Sequence, residues 1–165
     1  MKRTIVTLPT PTLREQSTIV DPTAPEIRAL LPDLQRAMFH YNGVGIAACQ
    51  VGINQRIFLI NTDSGVEAFF NGTITSGSPE VMEDEEGCLS VPQVYGVVPR
   101  HQWVDFEYDD VNGTHHRIRA TDFFARVIQH ETDHTNGILF VDRATTFTRG
   151  TPPVEPGREH HNHAT

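Results

Sequence analysis

Residues 121–137 read TDFFARVIQHETDHTNG, and the rest of the chain has to be built around this stretch. Phe123, Phe124, Val127 and Ile128 recur at helical spacing, which makes one apolar stripe. Thr121 or Asp122 is the expected N-cap, and Asn136-Gly137 the stop. On such a helix His130 and His134 lie four residues apart and share a face. Two imidazoles aimed at one spot can hold a divalent metal, and the adjacent Glu131 can reach a water bound there. Glu131 would take the proton of that water and later pass it to the leaving group. The competing reading is a solvated helix face that happens to carry two histidines.

A catalytic site of this kind needs a third protein ligand and one open position. The long metalloprotease motif places a third His where this chain has Phe140, so that route is closed. The acids downstream are Asp142, Glu155 and Glu159, the two Glu lying in a polar tail. Upstream, Cys88 in Glu86-Gly87-Cys88-Leu89-Ser90 offers a thiolate suited to zinc or iron. Gly87 would let the backbone come close. Taken alone, a single Cys reads more readily as an inert core thiol.

Working outward, Ile27, Leu30, Leu31, Leu34, Met38 and Tyr41 predict a helix over 25–41, with Thr23 as its cap and Pro32 as a defect that kinks it or delays its start. Residues 56–61 read as a buried strand, and 66–70 as a second that ends at Asn71-Gly72. A loop is expected over 72–79, then a run with five acids over 80–86, and a strand over 94–98. Residues 103–108 alternate as a half-buried strand does, and Asn112-Gly113 turns the chain back into a partner over 115–120. Residues 138–141 form a short closing segment. Helix, short strands, then helix is the order of an α+β fold: antiparallel sheets around the C-terminal metal-binding helix, with an N-terminal helix. One catalytic domain over 1–143 and a disordered polar tail over 144–165 are expected.

The chain has 165 residues, enough for one domain with a closed core. Thirteen Lys and Arg against 21 Asp and Glu give a net charge of -8, which disfavours nucleic acid as a partner. Two cysteines are too few for a disulfide scaffold. No apolar run approaches the ~18 residues that span a bilayer, and the N-terminus lacks a signal-peptide core. The expectation is a soluble cytoplasmic monomer away from membranes, or an organelle-lumen protein if a transit peptide was removed.

Three blocks together resemble the three motifs of peptide deformylases, in order and in spacing. They are Gly43-Val44-Gly45-Ile46-Ala47-Ala48-Cys49-Gln50, Glu86-Gly87-Cys88-Leu89-Ser90 and Gln129-His130-Glu131-Thr132-Asp133-His134. The resemblance also takes in Arg14, Val51-Gly52 and Pro99-Arg100. It implies a hydrolase that removes the formyl group from N-formylmethionyl peptides and releases formate. Cys88, His130 and His134 would then be the metal ligands, with water as the fourth. The metal would be Fe(II) in the cell, with zinc, nickel or cobalt accepted. Glu131 would be the general acid/base, and Gln50 with the backbone N–H of Leu89 would donate to the developing oxyanion. Gly43, Gly45, Arg100 and Arg126 fall on the substrate-binding side, where the peptide pairs with the first motif like an added strand.

The chain departs from the family pattern in four places. Cys49 stands where Pro is usual, and Thr132 and Thr135 where the last helix is usually apolar. Arg126 occupies a position that in the family is apolar and lines the pocket for the methionine side chain. An unpaired cation there would disfavour a thioether and redirect the enzyme to other formylated peptides or to a small formylated metabolite. The other reading has its stem lining the pocket and its head in water or paired with an acid. Finally, residues 145–165 lack the basic helix with which bacterial relatives dock at the ribosome, so stable docking is not expected; His160, His161 and His163 fall in this tail. A non-enzymatic binder of metal or formyl-peptides would have no need of Glu131.

Overall fold

The computed structural model describes residues 3–158. Its framework follows from one strand. In β2 (Ile57–Thr62) the residues Ile57, Phe58, Leu59 and Ile60 are all buried. Successive side chains point to opposite faces, so a continuous apolar run must be covered on both. Phe58 and Ile60 join a cluster with Phe69, Phe106, Ile128 and Phe140, whereas Ile57 and Leu59 join Leu34, Met38, Ile46 and Phe70. One helix therefore packs on each face of the sheet.

The helix on the second face comes in two pieces, α1 (Pro25–Arg28) and α2 (Leu30–His40). The single helix expected over 25–41 is interrupted at Ala29 because Pro32 has no N–H to return to the preceding turn. Pro32 falls instead in the first turn of α2, where that loss costs little. Thr23 is not the cap, since Ala24 occupies that position and the Thr23 hydroxyl bonds Asp21.

The larger sheet is antiparallel in the order β1-β2-β3-β6-β7. Besides β2 it contains β1 (Gly45–Ala47), β3 (Gly65–Gly77), β6 (Trp103–Asp109) and β7 (His115–Thr121). The register of β6 on β7 runs from Trp103↔Thr121 to Asp109↔His115, around the expected turn at Asn112-Gly113. β3 does not stop at Asn71-Gly72, and the loop expected over 72–79 is strand as far as Gly77. The turn-forming residues are absorbed as bulges, with register shifts between Phe70 and Thr73 and between Ile74 and Ser76. Gly72 is required there, because the Phe106 ring fills the space where a side chain would begin.

A second antiparallel sheet has the order β4-β5-β8, from β4 (Val81–Cys88), β5 (Val91–His101) and β8 (Thr146–Arg149). The acidic run lies on β4, an edge strand whose Glu83, Asp84 and Glu85 are exposed while Glu86 is buried. Charge on an edge discourages pairing with other chains. Val91, Val94 and Val98 of β5 join the same core cluster as Ile128, so α3 (Asp122–Thr135) is packed by both sheets. The closing segment is a helical turn, α4 (Phe140–Arg143).

The tail expected to be disordered from residue 144 is ordered in part. β8 pairs with β5, and the buried Glu155 is held by Arg14. Main-chain pairing and an ion pair supply the order that apolar content does not. His160, His161 and His163 lie outside the described residues. No helix among the described residues is long and apolar enough to cross a membrane.

Candidate metal centre and active site

The helical period of α3 places His130 and His134 together, with ring centroids 5.0 Å apart. Cys88 reaches them from the end of β4. The register shifts there, from Gly87↔Tyr95 to Cys88↔Val91. The Cys88 Sγ lies 3.3 Å from His134 Nε2, and one donor atom from each of Cys88, His130 and His134 fits within 4.8 Å of the others. His130 Nδ1 is 2.8 Å from Glu86 Oε1. A carboxylate there keeps the proton on Nδ1 and leaves Nε2 free as a donor atom. One thiolate and two imidazoles from rigid elements suit a transition metal, so the residues fit the implied group. Burial, then His130, lowers the His134 pKa well below its ordinary value and keeps the ring neutral, as a ligand must be.

Glu131 is buried beside the cluster, and its Oε1 has no partner. Burial pushes its carboxyl up to about 7, against the pull of His130. Its other oxygen packs on β1, where a Cβ at Gly45 would stand 2.6 Å from Oε2. Gln50 is fixed at both ends of its amide. Oε1 accepts from Ala47 N at 3.0 Å, while Nε2 lies 3.2 Å from Ser90 Oγ and 3.6 Å from Cys88 Sγ. These groups open on a cavity of about 650 Å³, which Gly43, Gly45, Gln50, Leu89, Val127 and Tyr95 help to line.

A sequence model of the polypeptide deformylase family matches residues 2–150. The chain belongs to the peptide deformylase family. A peptide deformylase of Treponema pallidum (strain Nichols) is 43% identical over 133 residues, which are 81% of this chain and 82% of that one. One from Microchaete diplosiphon is 40% identical over 136 residues, 79% of this chain and 73% of its own. The solved peptide deformylase of Thermotoga maritima superposes with a TM-score of 0.84 at 34% identity, covering 87% of this chain and 98% of that chain. That of Synechococcus elongatus in complex with actinonin gives 0.82 at 36% identity, over 86% and 78%. This deformylase is thus a hydrolase that removes the formyl group from N-formylmethionyl peptides.

Of the two arginines expected on the substrate-binding side of the deformylase, one lines the cavity and one does not. Arg100 is buried and does not line the cavity. Its Nε and Nη2 hold both oxygens of Glu86 at 2.9 and 3.0 Å, and Nη1 donates to Asp133 at 2.6 Å. Arg126 does line the cavity, and its head is paired with an acid, as in the second of the two readings expected. Nη1 donates to Glu86 Oε2 at 2.6 Å and to Val98 O at 2.9 Å, and Nη2 donates to Met82 O at 2.7 Å. The paired cation removes the reason to expect a redirected specificity. Of the three downstream acids that rivalled Cys88 as third ligand, Asp142 and Glu155 are both bonded to Arg14, and Glu159 lies outside the described residues. Cys49 is buried, with Sγ 3.5 Å from His134 O.

Nothing in the sequence pattern marks Glu86, Asp133 or Ser90 as part of the site. Glu86 is one of five acids in a short run, and only its side-chain partners separate it from its exposed neighbours.

Proposed function

We propose that Cys88, His130 and His134 hold one divalent metal and that the deformylase uses Glu131 as its acid/base. The observation that carries this is the convergence of the three donor atoms beside a buried carboxylate oxygen that has no other partner. When bound, the metal supplies Lewis-acid activation of water and positive charge for the formyl oxygen. The thiolate and imidazole set is compatible with Fe(II), which we take as the cellular metal, and with zinc, nickel or cobalt.

The chain's own residues do the rest. Glu131 accepts the proton of the attacking water and delivers it to the leaving amine nitrogen. Its raised pKa suits a group that must both take and give a proton near neutrality. Gln50 Nε2 and the Leu89 N–H donate to the formyl oxygen as it gains charge; Ala47 N and Ser90 Oγ hold the Gln50 amide, and the long bond to Cys88 Sγ is the one given up to the substrate. β1 is the edge strand of its sheet, so Gly43 and Gly45 can offer main-chain groups to an extended peptide. Val127 and the methylene stem of Arg126 line the cavity that takes the first side chain. We place the enzyme in the cytoplasm, acting as a monomer without stable ribosome docking, in keeping with the charge of -8.

Glu131→Ala tests the assignment. In a steady-state assay on a formyl-Met tripeptide, with Fe(II) shielded from oxygen, kcat should fall by roughly 10²–10⁴-fold while the metal stays bound. A variant that keeps its rate would remove Glu131 from the mechanism.

A further inference from the structure

Glu86 receives four hydrogen bonds from three side chains, and their geometry is divided between its two oxygens. Oε2 accepts from Arg100 Nε and from Arg126 Nη1, while Oε1 accepts from Arg100 Nη2 and faces His130 Nδ1. The bidentate Arg100 sets the plane of the carboxylate, and Arg126 pins the oxygen that does not meet His130. Arg126 precedes His130 by four residues, so both side chains leave one face of α3 and meet at the same carboxylate. Two further donors of Arg126 reach Val98 O on β5 and Met82 O on β4, which ties the helix face to both strands. His134, by contrast, has a buried Nδ1 with no hydrogen-bond partner. His130 is thus the imidazole of the pair whose second nitrogen is held by a side chain.

We propose that Arg126 is a positioning residue: acting through Glu86, it fixes the ring of His130 for metal binding and shows only its stem to the substrate cavity. Arg126 lines the cavity, while its guanidinium bonds run to Glu86 and to the β4 and β5 carbonyls of Met82 and Val98. Arg100 cannot replace it, because its Nη1 is committed to Asp133, which Arg143 also holds.

The inference rests on the proposed ligand set, and the test separates the two. Wild-type protein loaded with cobalt should show a thiolate-to-metal absorption band. If it does not, the ligand assignment fails, whatever Arg126 does. With the band present, Arg126→Leu should release cobalt to a chelator about tenfold faster and shift the cobalt ligand-field spectrum, since outer-shell partners set ligand orientation. Its kcat should fall while KM for formyl-Met peptides stays within twofold. Arg126→Lys keeps the charge but cannot span the same three acceptors, so it should fall between, and it serves as the test if the Leu variant does not fold. An unchanged release rate and spectrum with a raised KM would overturn the proposal and make Arg126 a specificity residue. A lowered Tm with release and spectrum unchanged would overturn it too.

Discussion

At the scale of single residues, the carboxylate proposed as the acid/base, Glu131, is fitted to a glycine. A Cβ at Gly45 would approach Glu131 Oε2 to 2.6 Å and its Cδ to 3.1 Å, so even one methyl group displaces the acid. Glu131 is buried and has little room to yield. Gly45→Ala should therefore lower kcat by about 10²-fold, the scale of a 1 Å misplacement of a reacting group. Metal content measured by elemental analysis should not change, because the three atoms nearest a Cβ at Gly45 all belong to Glu131 and not to a proposed ligand. Full activity in the alanine variant would show that the carboxylate does not need this position. The two histidines and Glu131 were legible in the sequence because a helix fixes which residues share a face. The packing of Gly45 on Glu131 was not, because nothing local reports a contact between residues 86 positions apart.

At the scale of elements, α3 carries both histidines and Glu131, and its last turn is held from outside. Arg56, just before β2, is buried and donates from Nη1 to Thr135 O at 3.3 Å and to Asn136 Oδ1 at 2.9 Å. Its Nε and Nη2 both donate to Gly72 O in the β3 bulge. The carbonyls that end a helix lack intrahelical donors and form the negative end of its dipole, so a cation suits them. Arg56→Met keeps the bulk but orphans Gly72 O and weakens the helix end. The Thr135 carbonyl keeps its bond from Ser17 N, so the cost, about 2–4 kcal/mol, comes from the Gly72 carbonyl and the lost cation at the helix end, lowering Tm by roughly 5–15 °C. Arg56→Lys should recover only part, since one ammonium cannot reach both sites. A Tm within a degree of wild type for the Met variant would rule out this cap. Sequence pattern located β2 and α3 well because their burial shows as periodicity. It ended β3 too early because Asn71-Gly72 reads as a turn, and a bulge uses the same residues.

At the scale of the molecule, one guanidinium ties segments far apart in sequence to the exit of α3. Arg14 donates from Nη1 to Gly137 O and to Asp142 Oδ2, from Nη2 to both carboxylates, and from Nε to Glu155. The residues that make this knot are up to 141 positions apart, and the segment around Glu155 is polar, so composition alone points to disorder where the chain is held. β8 escapes pattern reading for the same reason: its side chains are exposed and its order comes from main-chain bonds to β5. The knot also gives the fold a predictable acid limb. Burial would raise the Asp142 carboxyl, but its bonds from Arg14 and from Leu139 N prevail and hold it below its ordinary value. A depressed folded pKa means that the unfolded chain takes up the proton first as pH falls. The stabilisation is therefore complete above the unfolded value, about 3.9, and is lost as pH drops through the folded one. Asp142→Asn should cost about 1.5–3 kcal/mol at pH 7, the range for a hydrogen bond to a charged group. Urea unfolding of the two proteins should show this gap at pH 7, still undiminished at pH 5, and closing below about pH 4. A gap that stays constant down to pH 2.5 would mean that the Asp142 charge contributes nothing to the knot.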